Sequence, residues 1–296
     1  MTSEGVTAAA LGDVIDAVRG VRWPARRPVA PGVPGAHRSR RRGTAVEFTE
    51  YRPYRQGDDP KRLDWKLLAR TDRAYVRLTD DHAVLPTTIL VDASASMAYP
   101  VATVGKWRVA AQLALGCAAV AHASGDPVAV RVVVGEDVIA DVARTTRRGV
   151  VGTIASVLGA IVPGKADGKH PRRGTESRVS EGVTKGRLII VSDFLQEDVG
   201  QLTRARTMTL LGGEVYAVHV VAREELEPPK RALLVSDPEQ TDLRRPLLNE
   251  TRAEYLDAFG AWRERLRDEW RAAGAWYAMV TTDEPAGRAV RRVVRL

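Results

Sequence analysis

Four short apolar runs constrain this chain most. Thr87–Val91 (TTILV), Val128–Val134 (VAVRVVV), Leu188–Val191 (LIIV) and Val215–Val221 (VYAVHVV) are dense in β-branched residues. Such continuous runs read as strands covered on both faces. Helical spacing fills the intervals, as in Lys106–Ser124 with Val109, Leu113, Cys117 and Val120 on one stripe. Further helices are expected over Ala9–Val18, Val151–Val162, Val199–Leu211 and Thr251–Ala273. The last carries Tyr255, Phe259, Trp262, Leu266 and Trp270 on one stripe, a Thr251/Glu254 capping-box pattern and Gly274 as its stop. Asp137–Thr145 reads as a strand antiparallel to its predecessor, Ala232–Val235 as a shorter strand, and Trp276–Val280 as a closing one. Strand alternating with helix predicts an α/β fold, a mostly parallel, Rossmann-like sheet with helices on both faces.

In such sheets ligands sit outside the carboxyl ends of the strands. The loops of interest are therefore Asp92-Ala93-Ser94-Ala95-Ser96 after the first run and Ser192-Asp193-Phe194 after Leu188–Val191. Asp92, Ser94 and Ser96 alternate, so one loop can aim three oxygens at a common point. Hydroxyls with few carboxylates suit Mg2+ or Mn2+, which take oxygen ligands and often retain water. Taken alone, the loop fits equally well a polar turn without metal.

Composition removes other chemistries. Cys117 is the single cysteine, which excludes an internal disulfide, a zinc ribbon and an iron–sulfur site. No apolar run approaches the roughly 18 residues of a membrane span. The N-terminus carries acids and no early basic cluster, unlike a secretory signal. A soluble, cytoplasmic protein is expected. Formal net charge is +8, and residues 36–79 hold 12 Lys+Arg against 6 Asp+Glu, so the excess is local. His37–Arg42 (HRSRRR) supports an alternative function in nucleic-acid binding. No helix-turn-helix, zinc finger or RNA-binding aromatic motif accompanies it. Gly159 to Lys165 has phosphate-loop spacing, but Ala166 replaces the metal-binding hydroxyl and the segment follows a helix, not a strand. Ser94 lacks the glycines of a nucleophile elbow, and no histidine is placed by the sequence to activate it. No enzyme is expected.

The Asp-x-Ser-x-Ser pattern resembles the metal-ion-dependent adhesion site of von Willebrand factor A domains. That resemblance implies a Thr from a second loop, best matched by Thr175, and a later Asp, matched by Asp193. It implies direct ligation by Ser94, Ser96 and Thr175, with Asp92 and Asp193 acting through water, and an open position for an acidic side chain of a partner. The preceding block resembles the signature of domain-of-unknown-function family 58 (DUF58). It comprises Arg42-Gly43, Glu47-Phe48, Tyr51-Arg52-Pro53-Tyr54, Gly57-Asp58-Asp59, Arg62-Leu63-Asp64-Trp65 and Ala69-Arg70-Thr71, with Ser96-Met97 after the motif. The family resemblance implies a chaperone-like or adaptor partnership with a MoxR-type AAA+ ATPase and no known reaction. Three parts are expected: an N-terminal helix and Pro/Arg-rich arm over 1–43, the signature segment packed on the core over 44–85, and a von Willebrand factor A-like domain over 86–296. Within the segment, Tyr54 and Trp65 are expected to anchor it on the sheet. Arg52, Tyr54, Asp58, Asp59, Arg62, Asp64, Trp65 and Arg70 are candidates for a docking face; the alternative is a salt-bridged ornament on the core.

Overall fold

The computed structural model describes residues 7–27, 34–42, 48–56, 58, 60, 63–135, 137–164, 186–196, 199–229, 233–236, 244–247 and 249–296. In chain order the elements are α1 (Ala8–Ala17), β1 (Pro34–Arg42), β2 (Phe48–Pro53), α2 (Trp65–Thr71) and β3 (Tyr75–Ala83). There follow β4 (Thr87–Asp92), α3 (Gly105–Ala123), β5 (Val128–Val134), β6 (Asp137–Thr145), α4 (Val150–Ala160) and β7 (Arg187–Ser192). The chain continues through α5 (Val199–Leu210), β8 (Glu214–Val221), α6 (Arg223–Leu226), β9 (Leu233–Ser236) and β10 (Arg244–Leu247). It ends with α7 (Asn249–Ala272), β11 (Trp276–Thr281) and α8 (Ala286–Arg295).

Six strands form the main sheet in the order β11-β8-β7-β4-β5-β6. All pair in parallel except β6, which runs antiparallel to β5. Counting only these strands, the order is that of a doubly wound sheet, and the direction of winding switches between β4 and β7. The expected fold class holds. Successive strand residues point to opposite faces, and the core divides accordingly. Ile89, Val91, Ile189 and Val191 pack in one cluster with residues of α1, α3, α4 and α8. Leu90, Leu188 and Ile190 pack in another with Ala205 and Met208 of α5 and Leu266 and Trp270 of α7. Helix α3 is alanine-rich and buried over most of its length, which suits a central helix. Cys117 lies on it, its thiol pushed up to about 12 by burial.

Several boundaries differ from expectation. The chain divides into Met1–Trp23 with Pro86–Leu296, and Pro24–Leu85. Helix α1 belongs with the main sheet because Leu11, Val14 and Val18 bury themselves in its core. The expected Pro/Arg arm contains β1, which pairs antiparallel with β3; β2 pairs with β3 on its other edge. Local composition cannot register a strand whose partner lies some 40 residues on. Helix α7 begins at Asn249, so Thr251 and Glu254 lie inside it and form no capping box at its start. Gly274 does end it, with a positive φ of 80°. Helix α8, unexpected from the sequence, buries Ala289, Val290, Val293 and Val294 on one stripe. The short β9 pairs with β10 in a separate hairpin.

At the start of β7 an ion cluster is closed off from solvent. Arg187 (0% exposed) sets its Nε 3.1 Å from Glu214 Oε2 and its Nη1 3.7 Å from Asp126 Oδ2. Its guanidinium lies 4.1 Å from the Trp23 ring centroid, and Nη2 donates to the Trp23 carbonyl at 3.4 Å. Removing one partner of such a group strands the others without compensation, at a cost of about 3–5 kcal/mol. Arg187→Met is expected to lower the unfolding free energy by that amount, measured by urea denaturation at pH 7.

His219 on β8 is also buried, with Nδ1 2.6 Å from the Tyr277 hydroxyl. Burial pushes its imidazole down to about 3, against the opposing pull of Asp193. The unfolded imidazole takes its proton near pH 6.5, so the contribution is complete above that pH and is lost as pH falls. Between pH 7 and pH 5, wild type should lose about 2 kcal/mol more unfolding free energy than His219→Gln. Equal losses in paired denaturation curves would contradict this.

Candidate functional site at the β4–β7 switch

Asp92 ends β4, and Asp193 directly follows β7, its parallel neighbour. The two acids therefore arrive from adjacent strand ends, at the topological switch where this fold opens a crevice. The β4 loop turns sharply because Asp92 Oδ1 accepts the Ser94 backbone N–H at 2.8 Å. A 3-10 turn over Ala95–Ala98 follows and holds Ser96 and Met97 inside. The Ser94 and Ser96 hydroxyls lie 3.0 Å apart, both buried. Asp92 Oδ2 accepts the Ser192 hydroxyl at 2.6 Å, which ties the two strand ends together. Ser192 Oγ in turn accepts the Phe194 N–H at 2.9 Å. Phe194 has a φ of 51°, a left-handed conformation uncommon for a bulky residue. Its amide bond to Ser192 and its ring contacts with His219 and Trp270 hold it there.

The structure thus brings together Asp92, Ser94, Ser96 and Asp193. Thr175 lies outside the described residues. The phosphate-loop look-alike has another explanation. Gly164 (φ 76°) donates its N–H to the Ala93 carbonyl at 2.8 Å, and a Cβ there would lie 3.0 Å from the Ala95 Cα. This glycine lets the chain press against the serine loop.

Two members of the site escaped sequence reasoning. Lys106, in the first turn of α3, places Nζ 2.9 Å from Asp193 Oδ2 and 2.6 Å from Glu225 Oε1, with its side chain 1% exposed. Glu225 comes from α6; its Oε2 accepts the Ala222 N–H at 2.7 Å, and its carbonyl accepts the Tyr255 hydroxyl at 3.1 Å. The signal for Lys106 was present. It stands three residues before Val109 and seven before Leu113, on the apolar stripe of a buried helix. A lysine there requires a buried partner. Nothing local points to Glu225, more than a hundred residues away.

Charge in the crevice is unbalanced. Burial opposes the ammonium of Lys106, but Asp193 and Glu225 outweigh it and hold its pKa above the usual value. Asp92 is raised by burial and by the nearby Asp193, against the hydrogen bond from Ser192. Glu225 is likewise raised by burial, against the pull of Lys106. Lys106 pairs with Asp193 and Glu225, while Asp92 is held by the Ser94 N–H and the Ser192 hydroxyl, so carboxyl groups outnumber basic side chains among these residues. Among the described residues, no group of three or more His, Cys, Asp or Glu side chains could hold a metal ion. A cation here would rely on hydroxyls, and the donor set of Ser94, Ser96 and water-bridged carboxylates fits hard Mg2+ or Mn2+. The Ser94 hydroxyl lies against that of Ser96, and the His219 imidazole against the Tyr277 hydroxyl.

The signature segment is cohesive by itself. Arg52 pairs with Asp58 at 2.7 Å, and Asp58 also accepts the Arg55 N–H at 2.8 Å. The Tyr54 hydroxyl donates to the Asp58 carbonyl at 3.3 Å. Asp64 caps α2 by accepting from Lys66 N and Leu67 N, and it accepts the Tyr51 hydroxyl at 2.7 Å. Tyr54 and Trp65 are 37% and 64% exposed. Trp65 is the first residue of a helix with none of its residues buried. Arg70 is exposed as well, and Asp59 and Arg62 lie outside the described residues.

No described helix is long and apolar enough to cross a membrane. Similar proteins include uncharacterized protein Rv1480 of Mycobacterium tuberculosis and uncharacterized protein Mb1516 of Mycobacterium bovis. Each is 27% identical over 251 residues, covering 81% of this chain and 76% of the relative. Among solved structures, the conserved hypothetical protein BatB from Bacteroides thetaiotaomicron aligns at a TM-score of 0.41 and 17% identity, over 71% of this chain and 97% of that one. A von Willebrand factor type A protein from Catenulispora acidiphila aligns at 0.38 and 15% identity, over 73% of this chain and 43% of that one. The profile of the family described as protein of unknown function DUF58 matches residues 50–265, spanning most of the signature segment, both strand ends of the crevice and most of α7, and the chain belongs to that family.

Proposed function

We propose that this protein is a non-enzymatic interaction module whose β4–β7 crevice takes a divalent cation and, through it, an acidic side chain of a partner protein. The observation that carries the reading is the convergence of Asp92, Ser94, Ser96 and Asp193 at the switch point, with more carboxylate than cationic charge. In this reading Ser94, Ser96 and Thr175 ligate Mg2+ or Mn2+ directly, and Asp92 and Asp193 act through water. The cation supplies a Lewis-acidic point on which a carboxylate can dock. Apolar surface immediately beyond the site favours a protein as the partner. Leu195, two residues past Asp193, is 46% exposed, and Tyr99 and Val101, just past Ser96, are 37% and 76% exposed. In this reading the partner is a MoxR-type AAA+ ATPase, as the resemblance of the signature block implies, with this chain as a chaperone-like adaptor in the cytoplasm. The exposed Trp65 and Arg70 of the signature segment offer a second contact surface.

Calorimetric titration with Mg2+ and Mn2+ should give binding by wild type that Asp92→Ala loses. Identical cation binding by the two proteins would remove the proposed site. A pull-down with and without chelator, read by mass spectrometry, should retain the ATPase only when the cation is present. Retention that ignores the chelator would separate the partnership from the metal, and nucleic acid in the eluate would favour the basic segment as the working surface.

A further inference from the structure

Lys106 is an unusual neighbour for a cation site. It is a full positive charge, out of contact with solvent, fixed 2.9 Å from an oxygen of the carboxylate that should help hold the metal. Its stem cannot easily swing away. The backbone N–H of Lys106 donates to the Tyr99 carbonyl at 3.0 Å, and Nζ is also held by Glu225 at 2.6 Å. The other oxygen of Asp193 accepts the Leu195 N–H at 3.2 Å. Asp193 therefore enters the crevice with one oxygen on an ammonium and the other on a backbone amide. A divalent cation bound nearby must share this carboxylate and tolerate the lysine charge, and repulsion between charges in a poorly solvated site is strong.

We infer that Lys106 determines the specificity of the crevice: its fixed ammonium claims Asp193, keeps divalent-cation binding weak, and makes that binding depend on the carboxylate a partner brings. The inference rests on the cation reading above and adds a regulatory term to it. Cation and acidic partner then bind cooperatively, because each offsets a charge that the other leaves exposed. The free protein holds the metal loosely, and the complex holds it firmly.

The test is Mn2+ titration by calorimetry on wild type, Lys106→Met and the double variant Lys106→Met/Glu225→Gln, with circular dichroism to verify folding. The single variant should bind Mn2+ at least about tenfold more tightly than wild type, since a like charge is removed from a low-dielectric site. If it fails to fold, the double variant decides. It removes one carboxylate together with the ammonium, so the net charge of the trio is unchanged while Asp193 is freed. It should still bind Mn2+ several-fold more tightly. Wild-type binding that neither variant strengthens would overturn the role of Lys106 and leave the cation site standing. No binding by any of the three proteins at millimolar Mn2+ would overturn the cation reading, and this inference with it.

Discussion

The main sheet depends on a charge it has buried. Arg187 lies at the amino end of a central strand, wholly enclosed, and answers to two carboxylates and an indole. Around it the aromatic side chains form a closed set. Trp23 donates its indole N–H to the Tyr216 hydroxyl at 3.3 Å, and Tyr216 stacks on Trp276 at 5.0 Å between centroids. The cluster draws its members from β7, β8, β11, the turn before β5 and the segment after α1. Taking a guanidinium out of water is expensive, and only a complete set of partners offsets it. The arrangement therefore enforces a single placement of several distant pieces of chain.

The two ends of the sheet divide the work. At the amino ends, one guanidinium meets two carboxylates and aromatic rings fill the space. At the carboxyl ends lie three carboxyl groups, one lysine and a pair of hydroxyls. Parallel sheets place their ligand crevices at that second end because the loops there are free to vary while the strands hold them in register. Here the serine loop is pinned from three sides, by Asp92 beneath it, by Ser192 from the next strand and by Gly164 pressed against its backbone. A site on such support is preorganised, and binding need not order the loop.

Much of this was readable from the residues. The β-branched runs gave the strands of the main sheet, and their carboxyl ends gave Asp92 and Asp193, because burial on two faces leaves a strong signature in composition. What failed to be readable depends on distance. The strands of the small sheet are rich in arginine and proline, and their pairing is set by partners far along the chain. Glu225 meets Lys106 only in the folded state. Two signals were present and overlooked. Lys106 sits on an apolar stripe, and α8 hides the stripe Ala289, Val290, Val293 and Val294 among arginines.

The division of the chain has a consequence for its handling. The unit Pro24–Leu85 interrupts the main one, with Ala25 packed against Leu85 where it leaves and returns. Its two ends meet, the geometry in which an inserted unit is tolerated by its host. A fragment starting at residue 86 would look like a whole α/β domain by sequence. It would lack α1 and Trp23, leaving part of the α3–α8 face bare and Arg187 without its indole. Helix α1 and Trp23 are a piece of the core that the chain supplies far from the rest of it, and the core closes only when α3 and α8 pack against them.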